Sequence, residues 1–254
     1  EAIRQAAEQL EPAVREITGS TAKFNLTVET VEVDQYWSYW LDGRGPNARL
    51  RLNLRKARFT RVRALQFGLH EILGHALQAA SISARCTQED VPWVRILCVH
   101  SNQQVLFEGL AQALPLYVAP DNELLVARTR LDHYHELVKA ELHLAVNAGV
   151  PIEDCARHAK ARVPYWRDET IADYLSDRGA NPLLRSYLWA YPAGFDWFVA
   201  LADQGSKDLI RAVLQESYRT PLTPKELTAM WPDGPVIGGP GTDLPLLDRP
   251  NQPL

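Results

Sequence analysis

Polar and apolar residues alternate with a period of two in the first part of the chain. The alternation runs through residues 24–33 (FNLTVETVEV) and again through residues 48–54 (ARLRLNL), as in strands that bury one face. Between them lie an apolar, aromatic stretch at residues 37–41 and a turn-forming segment at residues 42–47 (DGRGPN), which is typical of a hairpin connection. The pattern predicts a small N-terminal antiparallel sheet over about residues 24–54.

Helical periodicity governs most of the remaining chain. The predicted helices cover residues 2–18, 61–80, 100–118 and 122–149, a segment beginning near Pro151, and residues 168–178, 182–203, 205–216 and 223–230. The prediction is a mainly α fold (α+β) with one domain over residues 1–231, its sheet at about 24–54 and its helical core at about 60–231. Residues 232–254 are rich in Pro and Gly and are predicted to form an irregular tail.

Composition narrows the class of protein. With 46% hydrophobic and 23% charged residues, the chain resembles ordinary folded proteins. A net charge of -4 argues against broad binding to nucleic acid or to an anionic membrane, because both require a basic surplus. The three cysteines form no C-x-x-C pair, which argues against a cysteine zinc site. Without a membrane-spanning apolar run or a signal-like start, a cytoplasmic location is expected.

The string HEILGH at residues 70–75 carries the strongest chemical signal. In the familiar zinc motif H-E-x-x-H the histidines lie four apart on one helical face, whereas His70 and His75 lie five apart. On a regular α-helix this separation rotates the two imidazoles by about 140°. Both can reach one metal ion only if the helix contains a π-type bulge or a tightened turn. Gly74 permits such a distortion or a close approach at low steric cost.

Glu108 lies in VLFEGLA on the next predicted helix. Its apolar neighbours predict that it is buried. Residues 64–80 are also uncharged outside the HEILGH motif. Burying these polar groups would cost free energy unless an ion or a partner compensates them. His70, His75 and Glu108 would form a three-ligand site open to water, with Glu71 as general base. The alternative is ordinary helix histidines and a Glu108 carboxylate paired with an arginine.

The two motifs together resemble a bacterial metallopeptidase family of unknown function, whose members carry H-E-x-x-P-G-H-H-x-Q followed by E-G-W-A. This chain has HEILGHALQ followed by VLFEGLAQAL, and the resemblance covers roughly residues 30–230 through RLRLNL, AVNAGVPIEDCARHAKARV and LLRSYLWAYPAGFDWFVALA. The H-E-x-x-x-H and E-G-L-A motifs of the tubulin-tyrosine carboxypeptidases are similar. The resemblance implies a gluzincin-like helical core, with zinc on His70, His75 and Glu108 and with Glu71 as base.

The chain also departs from the bacterial family. It lacks the Pro of P-G-H, has one residue fewer between the histidines, and carries Pro192-Ala193-Gly194 where the family has P-G-Q. The family's chains are also much longer. These departures affect the prediction of the substrate more than the prediction of the metal. They motivate a second interpretation, a specialised metal-dependent enzyme that acts on a small metabolite.

Three residues of LLRSYLWAYPAG, namely Arg185, Tyr187 and Tyr191, are candidates for a further catalytic group. Amide hydrolysis requires a donor to the negative charge that develops on the carbonyl oxygen, and Tyr or Arg can supply one. The segment matches the Arg-Tyr region of the bacterial family. The alternative is that both tyrosines only pack in an aromatic-rich helix.

The strand at residues 48–54 is a candidate substrate-binding edge. An exposed edge holds an extended peptide by main-chain hydrogen bonds, and Arg49, Arg51 and Asn53 line its polar face. An arginine there could bind a substrate carboxylate through two hydrogen bonds. The alternative is the solvated outer face of an ordinary sheet.

The leading prediction is a zinc hydrolase, a peptidase or amidase whose partner is a peptide or a small molecule. Iron, manganese or cobalt also accept imidazole and carboxylate ligands. A third interpretation is a non-catalytic helical binding module, in which the motif is a relic or a structural metal site. His133 and His135 are excluded as ligands, because residues two apart on a helix point to different faces. The sequence does not indicate an oligomeric state.

Overall fold

The computed structural model describes residues 2–35, 37–91, 100–180 and 185–238. Within these residues the chain is mainly helical and has one small sheet, as predicted. The elements in chain order are α1 (Ala2–Thr18), β1 (Asn25–Val31), β2 (Tyr39–Arg44), β3 (Asn47–Asn53), α2 (Arg61–Phe67), a π-helix (Gly68–Ala76), α3 (Leu77–Gln88), α4 (Gln104–Val118), α5 (Glu123–Asn147), α6 (Ile152–Arg162), α7 (Asp168–Ala180), α8 (Arg185–Gln204), α9 (Lys207–Ser217) and α10 (Pro224–Met230). None of the described helices has the length and apolar character needed to cross a bilayer.

The sheet is mixed rather than antiparallel. Its strand order is β1-β3-β2, with β1 parallel to β3 and β2 antiparallel to it. Leu50 at the centre is fully buried and is flanked by Val28 and Leu41 on the neighbouring strands. The prediction of an antiparallel sheet was wrong, because alternation identifies strands but does not specify their partners. Parallel pairing of β1 and β3 requires a long connection between them, and β2 with its turn supplies it.

The edge-strand hypothesis for residues 48–54 was also wrong, because β3 is paired on both sides. Arg49 Nε and Arg51 Nη2 lie 3.0 and 2.6 Å from the carboxylate of Asp42 on β2. Asn53 is fully buried, and its amide donates to the carbonyls of Val33 and Trp37. The three side chains proposed for substrate therefore stabilise the sheet and the segment that follows β1.

The single helix predicted at residues 61–80 is three successive helical segments. Thr60 caps α2 by accepting a hydrogen bond from the Arg63 N–H, and α3 continues to Gln88. The nine residues between α2 and α3 form a π-helix, whose characteristic hydrogen bond runs five residues back, as from the Leu77 N–H to the Ile72 carbonyl. The hydroxyl of Tyr218 donates to the Leu73 carbonyl inside this segment at 2.8 Å. The π-helix is thus tied to the end of α9.

The described helices pack around two hydrophobic cores. The larger one packs the π-helix, α4 and α8 with α1, α9 and the sheet, around large buried side chains such as Leu69, Leu106, Leu110 and Phe198. The smaller one packs α5, α6 and α7 around Val138 and Leu142. The candidate site lies on the α4 and π-helix side, and α5 faces it across a cavity.

Candidate metal centre

The π-helix brings the two motif histidines together. His70 Nε2 and His75 Nε2 are 3.1 Å apart, and the rings meet edge to face with centroids separated by 4.6 Å. A π-helical turn holds more residues than an α-helical turn, so that positions five apart come to share a face. The distortion that the H-E-x-x-x-H spacing required is therefore present, and it lies at the motif itself.

Glu108 joins the histidines from α4. Its Oε2 atom lies 3.5 Å from His70 Nε2 and 3.5 Å from His75 Nε2. A Cβ on Gly74 would lie 2.8 Å from the Cβ of Ala111, closer than such atoms pack. Gly74 therefore allows the π-helix to lie directly against α4, which is its role here, since its own φ is not positive.

The three ligand atoms have the spacing of a metal site. A tetrahedral ion with bonds of about 2.0–2.1 Å holds its ligand atoms about 3.3–3.4 Å apart, and the observed separations are 3.1, 3.5 and 3.5 Å. Glu108 Oε2 is buried and has no hydrogen-bond partner among the described residues. A buried carboxylate oxygen without a donor is costly. His70, His75 and Glu108 form a cluster that could hold a metal ion.

Glu71 is buried beside this cluster without belonging to it. Its Oε1 atom lies 3.7 Å from His70 Nε2, and the side chain is almost fully buried. Burial raises the pKa of Glu71 above its usual range, against the opposing influence of His70 and His75. A carboxylate that is adjacent to the ligands and readily protonated has the properties of a general base.

The pKa of Glu108 shifts in the opposite direction, downward. Burial favours its protonated form, but His75 and His70 outweigh this effect and hold the pKa of the carboxyl well below its usual range. Burial by itself lowers the pKa of His75. The charge and hydrogen bonding of Glu108, together with the charge of Glu71, outweigh burial, so that the pKa of His75 is raised. The two carboxyl groups thus differ in how readily they ionise: the pKa of Glu108 is lowered and that of Glu71 is raised.

Two glycines place α8 against Glu108. A Cβ on Gly109 would lie 2.4 Å from the Gly194 carbonyl carbon, and one on Gly194 would lie 1.9 Å from the Val105 carbonyl oxygen. The backbones of α4 and α8 therefore touch. This contact brings Tyr187 of α8 within hydrogen-bond distance of the carboxylate that precedes Gly109.

Tyr187 and Tyr191 form a hydrogen-bond chain that ends on Glu108. The Tyr187 hydroxyl donates to Glu108 Oε1 at 3.1 Å and lies 2.5 Å from the Tyr191 hydroxyl. Because Tyr187 uses its only proton on Glu108, Tyr191 is the donor to Tyr187. Burial, and then the charge of Glu108, raises the pKa of both tyrosines, so that both remain donors. Arg185 is exposed at the start of α8 and does not line the cavity.

A cavity of about 440 Å³ opens beside His70, Tyr187 and Tyr191. Its far wall is formed by α5, which presents the charged residues Arg128, Asp132, Glu136 and Lys139. Arg128 pairs with Asp132, and Lys139 pairs with Glu136. The volume falls in the range of small-molecule sites, although the charged wall is more polar than most.

Sequence patterns did not reveal this wall, nor lining residues such as Tyr39 of β2 and Gln112 of α4. The spacing of Arg128, Asp132 and Glu136, four residues apart, was the available signal, since it places them on one helical face. A charged face on a long helix more often faces solvent, so the signal alone did not distinguish a cavity wall.

The two α5 histidines, His133 and His135, are not part of the candidate cluster found among the described residues. His133 Nε2 lies 2.8 Å from Asp196 Oδ1. His135 Nε2 lies 2.5 Å from the Tyr165 hydroxyl, and its ring lines the cavity. Both rings have partners within the protein.

Comparison with family models, with curated proteins and with solved structures finds no match to this chain. The resemblance to the bacterial metallopeptidase family and to the tubulin-tyrosine carboxypeptidases therefore stays a prediction.

Proposed function

We propose that this protein is a metal-dependent hydrolase, with zinc as its ion, that cleaves a peptide or amide bond. The observation that carries the proposal is the convergence of His70 Nε2, His75 Nε2 and Glu108 Oε2 at 3.1–3.5 Å beside a buried carboxylate that is not a ligand. Two imidazoles and one carboxylate are a known catalytic zinc set. A zinc ion in this set supplies Lewis acidity and lowers the pKa of water to about 7.

Glu71 is the group that moves the proton. Its carboxylate takes the proton from the attacking water, and its raised pKa suits it to return that proton to the leaving nitrogen. Tyr187 holds the second oxygen of Glu108, which keeps Oε2 directed at the histidines. Tyr191 lines the cavity and can turn its hydroxyl from Tyr187 to the substrate oxygen that becomes negative.

The size and polarity of the cavity favour a second candidate, an enzyme on the same scaffold that acts on a small polar metabolite. A volume of about 440 Å³ accommodates a molecule of about dipeptide size. The metal chemistry of the two candidates is the same, and the difference between them lies in the cavity wall. A screen with unstructured peptides and blocked dipeptides separates them, because a metal-loaded protein that cleaves neither favours the metabolite enzyme.

Substitution of Glu71 tests the hydrolase directly. We expect Glu71→Gln to retain one zinc ion per chain, measured by elemental analysis, while kcat on any substrate found in the screen falls by about 10²–10⁴-fold. The matched control is Glu16→Gln, on the exposed face of α1, which should change neither quantity. Undiminished turnover by Glu71→Gln would contradict the assignment. A chain that folds fully and binds no zinc would favour the non-catalytic binding module.

A further inference from the structure

Gln112 presents an unused hydrogen-bond donor at the cavity. It lies on α4 one turn after Glu108 and therefore shares a face with it. Its Nε2 atom is buried and has no hydrogen-bond partner among the described residues, and the side chain lines the cavity together with His70 and Tyr191. Within the part of the chain that the structure describes, no hydrogen bond that holds the fold uses this donor.

A second glutamine in the same cavity shows how a structural amide is satisfied. Gln66 Nε2 donates to Asp132 Oδ2 at 2.8 Å, and its Oε1 accepts from Arg63 at 3.3 Å. Both ends of the Gln66 amide are therefore used within the protein. A buried donor left without an acceptor costs free energy. The difference between the two glutamines indicates that the acceptor for Gln112 comes from outside the chain.

We propose that Gln112 is a specificity-determining residue that donates its Nε2–H to a carbonyl oxygen of the substrate, next to the carbonyl that is hydrolysed. The inference rests on the proposed hydrolase function. Gln112 is displaced from Glu108 by about 6 Å along the helix axis, which is more than the spacing of about 3.3–3.6 Å between neighbouring residues of an extended peptide. The donor therefore meets a second carbonyl rather than the reacting one. The substrate class is an N-acylated amino acid or a peptide, and not a simple apolar amide.

Thermal unfolding of metal-free protein tests whether the donor is unpaired. We expect Gln112→Leu to keep or raise the melting temperature, by up to about 2–4 °C, because an unsatisfied buried donor is removed. The matched variant Gln66→Leu should lower it by about 2–6 °C, because two hydrogen bonds are lost. A Gln112→Leu protein that melts as far below the wild type as Gln66→Leu would overturn the proposal.

Two metal-binding probes test the contact itself on the zinc-loaded chain. N-acetylglycine hydroxamate carries a second carbonyl, and pentanohydroxamate has methylene groups in place of that amide. We expect the wild type to bind the first in preference to the second, and Gln112→Leu to reduce this preference by about 2- to 10-fold. An unchanged preference with zinc bound overturns the Gln112 role and leaves the hydrolase proposal standing. Failure of the wild type to bind zinc overturns both.

Discussion

Two buried glutamates, each facing histidine, differ in what compensates their charge. Glu141 of α5 lies 2.6 Å from His158 Nε2, and Arg162 donates to both of its oxygens at 2.6 and 2.7 Å. We call these three residues the Glu141 network. Glu108 has the same degree of burial, but its Oε2 atom accepts no hydrogen bond and instead faces two imidazole nitrogens at 3.5 Å.

The comparison shows how a buried carboxylate that is paired within the protein differs from one that could bind an ion. In the Glu141 network an arginine of the same chain supplies the positive charge and the donors, so the network is complete and joins α5 to α6. Tyr187 donates to Oε1 of Glu108, but Oε2 faces only the two histidine nitrogens. No arginine pairs with this carboxylate among the described residues. This arrangement leaves the Glu108 carboxylate available to a metal ion, which the cluster could hold.

The largest expected difference between the two regions is in metal affinity. We expect Glu108→Gln to weaken zinc binding by more than about 100-fold, which is the upper range for loss of an outer-shell partner. Glu141→Gln should leave zinc binding unchanged and instead lower the free energy of unfolding by about 1–3 kcal/mol, since it disrupts a buried charge-assisted network. Competition with a zinc chelator and denaturant unfolding measure the two quantities. Similar zinc affinities for the two variants would remove the distinction on which the comparison depends.

Prediction from the sequence reached the three residues of the cluster because their signals are local patterns in the chain. The uncharged run around His70 and His75, and the lone Glu108 among apolar residues, were enough to infer a shared buried site. The spacing of five also predicted that the helix must be distorted, and the π-helix fulfils that condition.

The features that escaped prediction depend on contacts between distant parts of the chain. Alternation revealed β3 but not that it is the central strand, since strand partners are not encoded in periodicity. The cavity wall on α5 and the donor of Gln112 depend on which face of each helix turns towards the site. Arg49, Arg51 and Asn53 form contacts within the sheet and with the segment after β1. Periodicity did not predict these contacts, because they also depend on strand pairing.

A second contrast is between Tyr187, which contacts Glu108, and Tyr134, which contacts the Glu141 network. We expect Tyr187→Phe to weaken zinc binding by about 10- to 100-fold, because Glu108 loses the donor that orients it. The matched variant is Tyr134→Phe, whose hydroxyl contacts Arg162 of the Glu141 network and not the site. Isothermal titration with zinc compares the two. Equal affinities would show that Tyr187 does not position the ligand.

Helix packing gives the smallest expected effect on the site. We expect Gly109→Ala to lower the free energy of unfolding by about 1–3 kcal/mol, because the new methyl group would overlap the backbone at Gly194 and push α8 from α4. Gly238→Ala is the control, since nothing lies within 4 Å of the added Cβ. Chemical denaturation checks both. A Gly109→Ala protein as stable as the control would argue against close contact between the two helices.

The most direct test of the metal centre is X-ray absorption at the zinc edge of protein loaded with one equivalent of zinc. We predict four nitrogen or oxygen neighbours at about 2.0–2.1 Å, with the outer-shell scattering of two imidazole rings, and loss of this spectrum in Glu108→Gln. Sulfur scattering at about 2.3 Å, or zinc with no imidazole neighbour, would contradict it.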